Sequence, residues 1–491
     1  MSARQVVDEL FGDDDASSSS EGAAQGPAAA TAASVVDELF GSDDASDGEA
    51  EPAAHAAVVG AVVAEVFGGW GAAEQPAPRW AFCGAAPSGG AELRCAFARA
   101  GLVEAEAGLV DVLIVGGAAD DAALAGADLR VVRGGLLVTL GADVAPQSGW
   151  VRLSRGVLKR RNVSCDASGD AARPPPNAAE LDRADACAVS PRAAWIAKRR
   201  GGVLGPHDQA VVRRAATVLR DRGVVFLAGV VDPAAADTAA DCALQDFEAC
   251  RVALKRRRVD LLDPLASQCD PQSYRELAMR EDFRCDIRGT PLLSNAESLG
   301  ARQALRGDAL LAAVARNATR PEREPPKALA EGNYGRWNFE DTGPCTPTPP
   351  LHVGALGAVI SLPGAAEQAL HADAPHLFEH VDGLPGHYIN AFFGSSAAAD
   401  SRAGHTAFVP GSQVLSRCAV LVADGGRAAR IDGALVRPRL GAGDALLFDA
   451  RLLHFGLSNR SAGCRRPLLY CNYTEAWFRD AKNWDDNEAL L

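Results

Sequence analysis

The stretch Gln368-Ala369-Leu370-His371-Ala372-Asp373 decides how this chain is read, together with the later Gly443-Asp444-Ala445-Leu446-Leu447-Phe448-Asp449-Ala450-Arg451-Leu452-Leu453-His454. At an extended strand end, a His-x-Asp pair points both side chains to the same side, because successive side chains alternate. One distant histidine completes a set of two imidazoles and a carboxylate, which holds a redox iron on one face and leaves the other open. His454 suits that role, since it closes an apolar run, 445–453, that reads as one buried strand after a Gly-Asp turn signal. His380-Val381-Asp382 has the same spacing, and with nine histidines and 63 acidic residues such a pair is expected by chance. The strand-like run from Leu356 to Leu362 leads into His371 and favours the first pair, whereas Asp382 opens a Gly-Pro loop. Cys464-Arg465-Arg466-Pro467-Leu468-Leu469-Tyr470-Cys471-Asn472-Tyr473 reads as the next strand. Antiparallel pairing through the Gly456 to Gly463 turn would return its start beside His454. An arginine there, Arg465 or its neighbour Arg466, can hold a carboxylate through two parallel hydrogen bonds.

Further motifs extend this pattern: Asp382-Gly383-Leu384-Pro385, the segment Gly404-His405-Thr406-Ala407-Phe408-Val409-Pro410-Gly411-Ser412, and Asn459. In their order and spacing they resemble the phytanoyl-CoA dioxygenase family of iron(II)/2-oxoglutarate oxygenases, over about Leu204 to Phe478. The resemblance implies an α+β fold whose core is a double-stranded β-helix, a jelly roll of the cupin type, with flanking helices. It implies that His371, Asp373 and His454 bind Fe(II), that Arg465 binds the distal carboxylate of 2-oxoglutarate, and that Asn390 and Thr406 also contact this co-substrate. O2 is the second co-substrate, and a small organic or acyl molecule is hydroxylated as succinate and CO2 are released. Because Asp373 is an acid where related halogenases carry a small residue, the resemblance implies hydroxylation or a following oxidation, not halogenation. Two positions depart from the family's habit: Gln413 stands where a histidine is common, and Gly456 where some members carry a hydroxyl.

The chain has 491 residues, 48% of them hydrophobic, enough for two or three domains with a sizeable core. Its net charge of −14 is concentrated at one end. Residues 1–52 hold thirteen acidic side chains and one basic one, Arg4, leaving a charge near −2 on the remainder. No clustered positive surface is indicated, so nucleic acid is not an expected partner. The twelve cysteines are scattered without a Cys-x-x-Cys and read as reduced thiols of an intracellular, cytoplasmic protein. Lys255-Arg256-Arg257-Arg258 is a candidate nuclear signal, although cations are also favoured at a helix C-terminus. The apolar segment from Ala53 to Ala73 contains Glu65, which is costly in a bilayer, and no membrane span is expected.

Residues 1–75 read as a disordered acidic tail. Within it Val6-Val7-Asp8-Glu9-Leu10-Phe11-Gly12 recurs as Val35-Val36-Asp37-Glu38-Leu39-Phe40-Gly41 and, degenerately, at Val62 to Gly68. Such clusters could dock as single helical turns on a protein partner. Residues 78–155 read as a small α/β domain with strands near Trp80–Gly84, Val110–Gly116 and Gly135–Leu140 and helices over 90–100 and 120–127. Residues 156–203 read as a linker, 204–478 as the oxygenase domain and 479–491 as a tail. Helices are expected over 207–222 and 233–258. Arg284, Asp286, Arg288, Tyr334, Arg336, Trp337 and Phe339 are candidates for the substrate entrance. A rival class remains: an interaction or protein-modifying factor whose barrel is inactive and whose repeats do the work.

Overall fold

The computed structural model describes residues 77–83, 90–99, 102–116, 127, 130–140, 150–154, 157–163, 176–191, 195–196, 204–262, 273–288, 296–319, 350–398, 400–426, 431–480 and 487–491. The N-terminal repeats, the apolar segment before residue 77, nearly all of the 120–127 helix and the Tyr334 to Phe339 candidates lie outside them. The chain divides into two compact units, 1–161 with 192–201 and 162–191 with 202–491. Together they give a mixed α/β protein with large sheets.

The first unit is a six-stranded sheet. Strands β1 (Arg79–Cys83), β2 (Val103–Glu104), β3 (Val110–Gly116) and β4 (Val131–Leu140) are parallel, with helix α1 (Gly90–Arg99) connecting the first two. β5 (Trp150–Ser154) and β6 (Val157–Arg160) then add antiparallel strands in the order β2-β1-β3-β4-β6-β5. The central strand β3, Val-Asp-Val-Leu-Ile-Val-Gly, is almost entirely apolar, as expected for a strand covered on both faces.

The second unit is built on a nine-stranded sheet. It begins earlier than the linker reading allowed: α2 (Ala178–Ala186), capped by Asn177, leads into β7 (Ala188–Val189), which pairs parallel with β8 (Val224–Leu227). What turns this polar stretch into structure is a tertiary contact. Glu180 on α2 takes two hydrogen bonds from Arg437, 2.6 and 2.8 Å long, with both side chains buried. Helix α3 (Pro206–Arg222) ends at Gly223, whose φ of 74° is the left-handed conformation of a helix stop. α4 (Pro233–Arg256) starts at the Asp232 cap and Pro233. It buries a stripe of Ala235, Ala236, Ala239, Ala240 and Ala243, small enough to let the helix lie close to the sheet.

The remaining strands are β9 (Leu277–Glu281), β10 (Arg284–Ile287), β11 (His352–Val353), β12 (Gly357–Ser361), β13 (Tyr388–Phe393), β14 (Thr406–Phe408), β15 (Ala445–Asp449), β16 (His454–Gly456) and β17 (Arg466–Thr474). Helices α5 (Ala296–Arg306), α6 (Ala309–Ala318) and α7 (Leu415–Gly426) complete the unit. The large sheet runs β7-β8-β15-β13-β17-β12-β10-β9, antiparallel from β8 onward, with β11 also on β17. A second layer forms from β14 and β16, flanked by residues 368–374 on one side and Val436 on the other. Between the layers lie Phe226, Phe392, Phe408, Leu446, Phe448 and Leu468.

Two expectations are corrected here. The run 445–453 is not one strand: it leaves the large sheet at Asp449, turns, and enters the second layer at His454. Asp449 makes the corner, accepting from the Arg451 backbone N–H at 2.9 Å and from its guanidinium at 2.9 and 2.6 Å. Consequently β17 does not pair with this run. It inserts between β12 and β13, with Ile360 opposite Pro467 and Asn390 opposite Asn472.

Replacing Glu180 by alanine would leave the Arg437 guanidinium buried without its carboxylate, and we expect a loss of about 3–5 kcal/mol, measured by urea denaturation of the full chain. A change under about 1 kcal/mol would mean that α2 is dispensable to this unit.

Candidate functional site

His371, Asp373 and His454 come together, with one donor atom from each lying within 4.8 Å of the others. The cause is backbone pairing. His371 N–H donates to the His454 carbonyl at 3.0 Å and His454 N–H returns the bond at 2.8 Å. Gln368 N–H to the Gly456 carbonyl and Ala374 N–H to the Ala450 carbonyl, both 2.9 Å, extend the ladder on either side. The imidazole centroids are 4.5 Å apart, and Asp373 approaches His371 Nε2 at 3.9 Å and His454 Nε2 at 3.6 Å.

The ring nitrogens are sorted by their neighbours. His454 Nδ1 lies 2.9 Å from the Leu452 carbonyl and His371 Nδ1 2.9 Å from the Ala369 carbonyl. A carbonyl only accepts, so each Nδ1 carries the proton and each Nε2 presents a lone pair beside Asp373. Burial lowers the His454 pKa against the pull of Asp373, which favours the neutral ring a metal needs. Phe408 stacks on His454 at 5.8 Å and Phe448 meets it edge-on at 4.9 Å, so that side is dry. On the other side His371 and Asp373 stay 38% and 36% exposed, an open approach. Two imidazoles and one carboxylate with a free face fit iron(II) in type and in number.

The rival pair does not converge. Asp382 accepts from the Ser416 hydroxyl and, at 3.2 Å, from its backbone N–H, at the start of α7, and His380 is exposed.

Asn390 donates Nδ2 to Asp373 Oδ2 at 2.7 Å. Its amide thus holds the carboxylate, a role the co-substrate expectation did not include. Thr406 is buried and lines a small cavity with His405, Phe392, Phe408, Leu446 and Arg466. Arg465 is elsewhere. Its guanidinium pairs with Glu248 and lies 5.9 Å over the Phe247 ring, in a surface groove along α4. The register of β17 explains this placement: Arg466, Leu468 and Tyr470 face the space between the layers, while Arg465 starts the opposite phase, facing α4. Arg466 is the buried guanidinium that reaches the cavity.

Other motif residues serve the scaffold. Asn459 Nδ2 donates to the Ser361 and Cys464 carbonyls at 2.8 and 2.9 Å, closing the loop before β17. Gln413 donates to the Arg220 and Asp221 carbonyls at 2.8 and 3.3 Å, so this departure from the family pattern falls at the end of α3. At Gly456 a Cβ would sit 2.6 Å from Gln368 Oε1 and 3.3 Å from Arg284 Cζ, so a side chain there would have to displace the Gln368 amide. Of the entrance candidates, Arg284 is fully buried and donates to the Ala366 and Leu457 carbonyls, both at 3.0 Å. Asp286 accepts from Arg280 at 2.6 Å and from Tyr470 at 2.8 Å.

Residues 356–467 match the family described as phytanoyl-CoA dioxygenase (PhyH). Among solved structures, AviO1 from Streptomyces viridochromogenes Tue57 is 17% identical over 57% of this chain and 99% of its own, with a TM-score of 0.31. The non-heme alpha ketoglutarate dependent epimerase SnoN from nogalamycin biosynthesis is 18% identical over 55% of this chain and 82% of its own, at 0.30. The carbocyclase SnoK from the same biosynthesis is 15% identical over 54% and 84%, also at 0.30.

Asn390→Ala would free the Asp373 carboxylate to rotate. We expect metal affinity to fall about 10–100-fold, read by titration with Fe(II) or Co(II), and an unchanged affinity would remove Asn390 from the site.

Proposed function

We infer that this chain, which belongs through residues 356–467 to the phytanoyl-CoA dioxygenase-like family of iron(II)/2-oxoglutarate oxygenases, hydroxylates a C–H bond of a small organic substrate. Its core is a double-stranded β-helix, in which the large antiparallel sheet and the layer around β14 and β16 face each other across the aromatic cluster. The observation that carries the reading is the meeting of His371, Asp373 and His454 with both Nε2 lone pairs turned toward the carboxylate.

The two histidines and Asp373 would hold iron(II), and Asn390 keeps the carboxylate aimed. When bound, iron supplies the chelation of 2-oxoglutarate and the activation of O2, by which the keto acid becomes succinate and CO2 and one oxygen atom goes to the substrate. Arg466 and Thr406, which line the small cavity beyond Phe408, would meet the distal carboxylate at its inner end. The substrate approaches on the exposed side of His371 and Asp373. Because Asp373 occupies its ligand position, chloride has no place there, and the product carries hydroxyl.

His371→Ala should abolish succinate release from 2-oxoglutarate by iron-loaded protein, and persistent release would sink this reading. Arg466→Met should raise the KM for 2-oxoglutarate by about 10²-fold, the loss of a buried charge-assisted pair. Arg465→Met should leave it within about twofold, as suits an exposed ion pair, so the reverse order would restore Arg465 to the site. With chloride present, mass spectrometry of any product should find added oxygen and no chlorine.

A further inference from the structure

The surface groove along α4 has no part in the chemistry above. It encloses about 700 Å³, and Leu244, Val252, Ala253 and Leu491 line it beside Arg256 and Arg465. That volume falls among ligand-sized pockets, which run from about 300 to 1,000 Å³. Val252 and Leu491 are 47% and 46% exposed, large apolar side chains left facing water. The wall that carries Leu491 is fixed. Leu490 N–H donates to Glu276 Oε2 at 2.7 Å, and the Arg275 N–H and Arg257 Nη1 both donate to Glu488, each at 2.9 Å. Arg465 joins Glu248, one turn before Val252, and the exposed Arg256 follows one turn after it. Eight residues of helix span about 12 Å, so cations stand on both sides of a short apolar floor.

Such a surface fits a segment with one apolar side edged by acid, and the chain carries that pattern in duplicate. In Val6-Val7-Asp8-Glu9-Leu10-Phe11-Gly12, helical spacing puts Val6 with Leu10 and Val7 with Phe11 on one side and leaves Asp8 and Glu9 on the other. Extended spacing would mix the two kinds of side chain. The copy from Val35 to Gly41 has the same order, and Asp13-Asp14-Asp15 and Asp43-Asp44 add charge just beyond each copy.

We propose that the groove along α4 binds this repeat as a single helical turn, its Val, Leu and Phe on Val252 and Leu491 and its acids toward Arg256 and Arg465. The iron site takes no part, so this inference and the oxygenase reading stand or fall separately. The test is fluorescence anisotropy of a labelled peptide, Ser34 to Asp44, with the full chain carrying Leu10→Ser, Phe11→Ser, Leu39→Ser and Phe40→Ser, so that its own copies do not compete.

That protein should bind the peptide saturably, and a scrambled peptide of the same composition should not bind. Adding Val252→Asp should weaken binding by more than about tenfold. Reversing both cations, Arg256→Glu with Arg465→Glu, should weaken it about three- to tenfold, and a peptide with Asp37→Lys and Glu38→Lys should then bind this variant better than it binds the unreversed groove. The unmodified chain, whose own copies compete, should take up the peptide at least about fivefold more weakly. No saturable binding up to about 1 mM peptide, equal binding of the scrambled peptide, indifference to Val252→Asp, no rescue by the charge swap, or equal affinity for the unmodified chain would each overturn the proposal.

Discussion

The two reciprocal hydrogen bonds between the backbones of His371 and His454 are what the rest of the second unit depends on. They place side by side two rings from distant parts of the chain, on a ladder that also ties Gln368 to Gly456 and Ala374 to Ala450. In an antiparallel pairing of this kind, facing residues project on the same side of the layer, so the backbone register alone brings the imidazoles together. Asp373 then needs only to sit two residues further on. The carbonyls of Ala369 and Leu452, each two residues before its histidine, fix the tautomers.

That ladder exists because the chain changes layers at Asp449. A strand that continued straight through to His454 would stay in the plane of the large sheet and carry the imidazole past the start of β13. The buried Asp449 and Arg451 pair instead makes a tight corner, from which His454 enters the opposite layer facing Phe408 and Phe448. The same aromatic rings fill the gap between layers and wall off the cavity that reaches Arg466. Packing, metal-site geometry and the exclusion of water are thus set by one group of side chains.

The helices were legible from local rules. Pro206 and Pro233 start α3 and α4, and Gly223 stops α3, because proline tolerates a first helical turn and glycine the left-handed stop. The start of the second unit was not legible: Asn177 to Val189 is polar and Ala-rich, and its structure rests on Arg437, far along the chain. The break inside 445–453 was hidden for a related reason, since Ala-Leu-Leu-Phe is buried on both faces and loses the alternation that would mark a strand's phase.

The sequence by itself determined the residue types of the candidate ligand set, a His-x-Asp pair and one later histidine, because residue type does not depend on how strands pair. Only the tertiary structure decided which of Arg465 and Arg466 faces the interior. Adjacent residues on a strand face opposite sides, and which side is the interior is set by pairing with β12 and β13, where Ser361 lies opposite Arg466. The partner that holds Asp373 was decided the same way, because Asn390 reaches it only once β13 lies beneath the ladder.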